Sequence, residues 1–123
     1  MASMIFPMSA LHRGYVTVAG SFAPNGVSAV AAGSNEGVGF SVARTSTGLF
    51  TITFDRIYPE LVGAMATLQL HTAADKFVQV GDYVKASKTI QIRVWDVSDT
   101  AVADVAVSAY NRINFCFTFK YTG

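Results

Sequence analysis

Residues 113–121 read Ile-Asn-Phe-Cys-Phe-Thr-Phe-Lys-Tyr, and the fold class turns on how that stretch is patterned. Phe115, Phe117, Phe119 and Tyr121 share one side of a period of two, and Asn114, Cys116, Thr118 and Lys120 share the other. An extended strand sends successive side chains to opposite faces and so separates these sets cleanly, whereas a helix would spread the aromatics around its axis. The stretch therefore predicts a strand with an aromatic core face. The same period recurs upstream. Residues 89–97 set Ile90, Ile92 and Val94 against Gln91, Arg93 and Trp95, and residues 49–54 set Phe50, Ile52 and Phe54 against Thr51 and Thr53. Residues 39–44 alternate less cleanly, 15–19 and 66–70 are rich in strand formers or alternate, and 78–84 is a weaker candidate broken by Gly81-Asp82.

Turn chemistry separates these runs. Pro24-Asn25-Gly26, the stretch 33–37 with its two glycines, and Thr45-Ser46-Thr47-Gly48 read as turns. The connection between 39–44 and 49–54 is short enough for a hairpin, and Ala86-Ser87-Lys88 closes a second one. Six to eight short strands with frequent turns predict an all-β fold, an antiparallel β-sandwich or jelly-roll-like barrel with little helix. Residues 58–64 have room for one helical turn, and the Ala/Val-rich stretch 101–110 suits helix or strand. A single domain over 15–123 is expected, preceded by an apolar arm or edge segment over 1–14.

Composition narrows the class further. The 123 residues are 51% hydrophobic and 14% charged, against about 25% charged in soluble domains, which excludes disorder. A net charge of +1 with scattered Lys and Arg argues against binding nucleic acid through its phosphates. An exterior so poor in charge suits a protein packed against copies of itself or a partner, because interface centres are depleted in charge. Residues 1–10 lack the basic start of a secretory signal, and no run of about 18 apolar residues is present, so a soluble protein made in a cytoplasm is expected.

No catalytic constellation emerges, and neither a metal nor a cofactor is expected. His12 and His71 lack the convergent ligands a zinc site needs, and the single cysteine, Cys116, reads as a small buried hydrophobe among phenylalanines. Asp96, Ser98 and Asp99, with Asp104 following, fit a turn better than a calcium loop, and a domain this small and sheet-rich leaves little room for the cleft a glycosidase carboxylate pair needs. The glycines at 33, 37 and 39 precede a strand, not the helix a phosphate loop requires, and read as a flexible connector. An enzyme is therefore not expected. The assembly candidates are Met4, Ile5, Phe6 and Met8, too apolar to leave in water, together with Trp95, opposite the apolar side of its strand, and Tyr121.

Several segments taken in order resemble small structural proteins of tailed bacteriophages: GFSVARTSTGLFTITF over 39–54, ATLQL over 66–70, IQIRV over 90–94, DVA over 104–106 and NRIN over 111–114. The resemblance spans residues 39–119 and leaves the first 38 outside it. It implies a β-sandwich virion protein, most similar to a capsid decoration (cement) protein that binds the outer surface of the major capsid shell. On that expectation its partners are the major capsid protein and itself, as a homotrimer ahead of a dimer, with neither nucleic acid nor membrane involved. Its place is the capsid surface of the virion. The alternatives are a tail-associated or host-surface glycan-binding module using Asn35, Asp99 and Trp95, and a small barrel around an apolar ligand.

Overall fold

The computed structural model describes residues 14–30, 34–97, 101–102, 104–105 and 110–120. Among the described residues eight strands run in chain order: β1 (Tyr15–Phe22), β2 (Phe40–Ser46), β3 (Leu49–Phe54), β4 (Glu60–Gln69), β5 (Lys76–Val84), β6 (Thr89–Asp96), β7 (Ala101–Val102) and β8 (Arg112–Lys120). They form two antiparallel sheets packed as a β-sandwich, with no helix among the described residues and no closed barrel. The smaller sheet has the order β1-β8-β4; the larger has β2-β3-β6-β5, with β7 pairing β6 beyond the end of β3.

Alternation builds the core. Along β8 the burial alternates residue by residue, so Ile113, Phe115, Phe117 and Phe119 are buried, while the residues between them are half-buried on the outer face. β3 and β6 do the same with Phe50, Ile52 and Phe54 and with Ile90, Ile92 and Val94. These three strands are the ones flanked on both sides, and their inner faces meet across the sandwich. Phe22 of the small sheet lies 5.1 Å, ring to ring, from Phe50 of the large one, and Phe54 lies 5.0 Å from Phe119. Such tilted and edge-on contacts are the favoured aromatic geometry, and they add to the area that the rings remove from water.

Two irregularities shape the edges. In β4 the register shifts between Leu61 and Gly63, and in β5 between Val80 and Tyr83. The β5 bulge sets Gly81 and Asp82 together opposite Gln91, and it is pinned from the inside. The Tyr83 hydroxyl accepts from the Tyr58 backbone N–H and donates to the Tyr58 carbonyl, both at 3.0 Å.

Three expectations need correction. Residues 58–64 make no helical turn: β4 starts at Glu60, and its bulge hides the alternation. The glycine-rich connector is fitted, since Ser21 and Glu36 exchange two backbone hydrogen bonds (2.9 and 2.8 Å). A Cβ on Gly20 would sit 2.5 Å from both the Glu36 carbonyl oxygen and the Phe40 ring. At Gly37, with φ 120°, an added Cβ would sit 2.7 Å from the Ala19 carbonyl oxygen. Cys116 is not buried with its phenylalanine neighbours, because strand alternation turns it to the half-exposed outer face of the small sheet.

Candidate functional site

The outer face of the small sheet is almost free of charge. Across the three strands its rows are Thr17–Thr118–Gly63, Ala19–Cys116–Met65 and Ser21–Asn114–Thr67. Met65 is 66% exposed, Val62 of the same edge strand 50%, and a shallow depression of about 150 Å³ lies among Met65, Thr67, Asn114 and Cys116. The charges stand at the ends of the face. Lys120 pairs with Glu60 at 3.3 Å at one end. At the other, Arg112 is turned onto the Ser21 hydroxyl (2.9 Å) and the Ser34 carbonyl (2.7 Å), which engages its Nε and Nη2 internally.

The outer face of the large sheet is different in kind. Trp95 stands beside Phe77, its register partner, and the indole N–H donates to Gln79 Oε1 at 3.0 Å. Gln79 pairs in turn with Arg93, and the β5 bulge adds Asp82 near Gln91. These polar residues, with Val80, Gly81, Val84 and Thr89, line an open depression of about 460 Å³.

A third cluster is structural. Arg44, at the end of β2, meets Asp104 through two hydrogen bonds (Nε to Oδ1 at 3.0 Å, Nη2 to Oδ2 at 2.9 Å), and the Gly48 backbone N–H adds a third at 2.9 Å. The side chains are 17% and 13% exposed. The Arg44 hydrogen bonds hold the Asp104 carboxyl below its ordinary range, helped by Gly48 and opposed by burial, and the same bonds raise Arg44. The pair ties the segment after β7 to the turn of the β2–β3 hairpin, which makes it a clamp rather than a reaction centre.

Of the assembly candidates, Trp95 is on the outer face of β6 and half-buried. Met4, Ile5, Phe6, Met8 and Tyr121 lie outside the described residues, as do His12, Ser98 and Asp99. The structure does not bring Asn35 to Trp95: Asn35 sits in the connector lying along β1, on the other sheet. Asp96 ends β6 and pairs with Lys76 at 3.7 Å. His71 is exposed and stacks on Tyr110 at 4.6 Å. Among the described residues no three His, Cys, Asp or Glu side chains converge as metal ligands. Sequence reading passed over Met65 and Val62, whose only local signal is an uncharged run from 61 to 70 on a strand without clear alternation. It also passed over Gln79 and Arg93, which only strand pairing makes neighbours.

The class that the fold defines is an all-β, two-sheet antiparallel sandwich. Beyond that class, the chain matches no known protein family, no curated protein and no solved structure.

Proposed function

We propose that the protein is a structural assembly protein, and within that class a capsid decoration protein of a tailed bacteriophage that covers the outside of the major capsid shell as a homo-oligomer. The observation that carries the assembly reading is the neutral outer face of the small sheet, with Met65 and Val62 exposed on its β4 edge. Isolated domains ordinarily keep charge on such faces and on edge strands, to stay soluble and to discourage strand pairing. β4 carries none between Leu61 and Leu70. A partner surface that removes this face from water gains apolar burial without stranding a charge. The choice of a capsid, and of a trimer ahead of a dimer, rests on the resemblance over residues 39–119. A protein that binds only the assembled shell stabilises that state by mass action and needs no chemistry. On this reading the protein works at the virion surface.

Light scattering combined with circular dichroism tests it. The protein is expected to be oligomeric at micromolar concentration, and Met65→Lys is expected to lower the mass to that of a single chain while the β spectrum stays unchanged. A wild-type protein that is strictly monomeric, or a Met65→Lys variant that keeps the oligomer mass, refutes assembly through this face.

A further inference from the structure

The depression on the large sheet holds an arginine that the fold does not use. Arg93 is half-buried, yet among the described residues it has neither a hydrogen-bond acceptor nor an ion-pair partner. Asp82 lines the same depression but forms no ion pair with it. This contrasts with Arg44 and Arg112, whose guanidinium groups are both engaged. A half-buried cation without a partner favours an anionic ligand, and a guanidinium fork matches a carboxylate through two parallel hydrogen bonds.

The surroundings narrow the ligand. The Trp95 indole donates to Gln79 Oε1, which fixes the amide so that its Nε2 is left as a donor. Gln91 supplies a second amide and Asp82 a carboxylate acceptor, placed there by the bulge that Tyr83 pins from inside. Trp95 and Phe77, the latter 48% exposed, set two aromatic groups at the end of the same strand pair. Donors, an acceptor and aromatic surface side by side are what a pyranose ring needs, since it presents hydroxyls at its rim and C–H groups on its faces. A volume of about 460 Å³ falls within the range of about 300–1,000 Å³ of small-ligand sites. Gly81 keeps the floor open, because a Cβ there would come 3.2 Å from the Gln91 carbonyl oxygen and 3.8 Å from Arg93 Nη1.

We propose that the outer face of the β5–β6 pair is a binding site for a carboxylate-bearing saccharide. Arg93 takes the carboxylate, Gln79, Gln91 and Asp82 take the hydroxyls, and Trp95 with Phe77 receives the apolar face of the sugar. The site is on the opposite side of the sandwich from the Met65 face and does not rest on the assembly reading.

A titration of the 15N-labelled full chain with a uronic-acid tetrasaccharide, and with its carboxyl-reduced neutral counterpart, tests the proposal. Saturable shifts are expected at the Trp95 indole N–H and the Gln79 side-chain amide, with the acidic ligand bound about tenfold or more tightly than the neutral one. Arg93→Gln, whose folding is read from the dispersion of the same spectra, is expected to erase that difference. Gln79→Ala is expected to weaken both ligands. Absence of shifts on this face at millimolar ligand, equal affinity for the two sugars, or an Arg93→Gln variant that still prefers the acid overturns the proposal. Oligomeric mass plays no part in these readouts, so failure here leaves the assembly reading intact, and the reverse also holds.

Discussion

Phe119 and Thr118 are chain neighbours on β8, and the sandwich assigns them opposite energetic weights. Phe119 is fully buried, stacked on Tyr58 at 4.5 Å and edge-on to Phe54 and Tyr83 at 5.0 and 5.1 Å. Thr118 is on the outer face, half-exposed. Truncating a buried phenylalanine costs about 3–5 kcal/mol, from lost transfer energy plus the cavity left behind. Phe119→Ala belongs at the upper end, because it empties the junction of three other rings, two from the large sheet and one from the loop before β4. Against a total stability of about 5–15 kcal/mol for an ordinary domain, this is a third or more. With a urea slope of about 1.5 kcal/mol per molar, the denaturation midpoint falls by about 3 M. Thr118→Ala, which removes strand propensity but no core volume, is expected to cost about 1 kcal/mol or less. Urea melts of the two variants beside the wild type measure both numbers. A Phe119→Ala cost below about 1 kcal/mol, or equal costs for the two variants, would refute the assignment of faces on which the description of both surfaces depends.

Two further outcomes follow from the polar contacts. The Asp104 carboxyl is held below its ordinary range in the folded protein, so it contributes stability above the unfolded-state value of about 4, and this is lost as pH falls through the lower folded value. Asp104→Asn is therefore expected to be less stable than wild type at pH 7, with the gap closing below about pH 4; urea melts at several pH values check this, and a gap independent of pH refutes it. Tyr83→Phe removes the hydroxyl that bridges the N–H and carbonyl of Tyr58, and is expected to cost about 1–3 kcal/mol in thermal or urea melts while speeding exchange of the Tyr58 amide. An unchanged amide exchange rate would show that the bridge does not hold the loop.

The strands legible in the sequence are those with neighbours on both sides. β3, β6 and β8 bury one face completely, so their apolar and polar residues must alternate, and the pattern survives in the letters. β4 is legible only from Ala66, because its bulge breaks the register at Leu61/Gly63 and because apolar Val62 and Met65 are on its outer side. β1 continues past Ala19 to Phe22 for a reason outside its own sequence: Gly20 is there to admit the Phe40 ring and the Glu36 carbonyl. The alternation of residues 89–97 put Trp95 and Arg93 on one face. What they meet there depends on pairing with β5, and a bulge in a strand already broken by Gly81-Asp82 leaves no local trace of which residue faces Gln91. Arg44 and Asp104 are sixty positions apart, and nothing near either residue announces the other.

The order of strands in the small sheet sets a schedule for folding. β2, β3, β5 and β6 pair largely through hairpins, and all are made before β8. β1 and β4 touch no common neighbour until β8, the last of these eight strands in chain order, slides between them with Ile113, Phe115, Phe117 and Phe119. A nascent chain thus holds a large sheet with one naked greasy side for as long as the ribosome still conceals residues 112–120, and closure of that side is a late, long-range event. Stop codons upstream of this segment are therefore expected to give insoluble product instead of a smaller working domain.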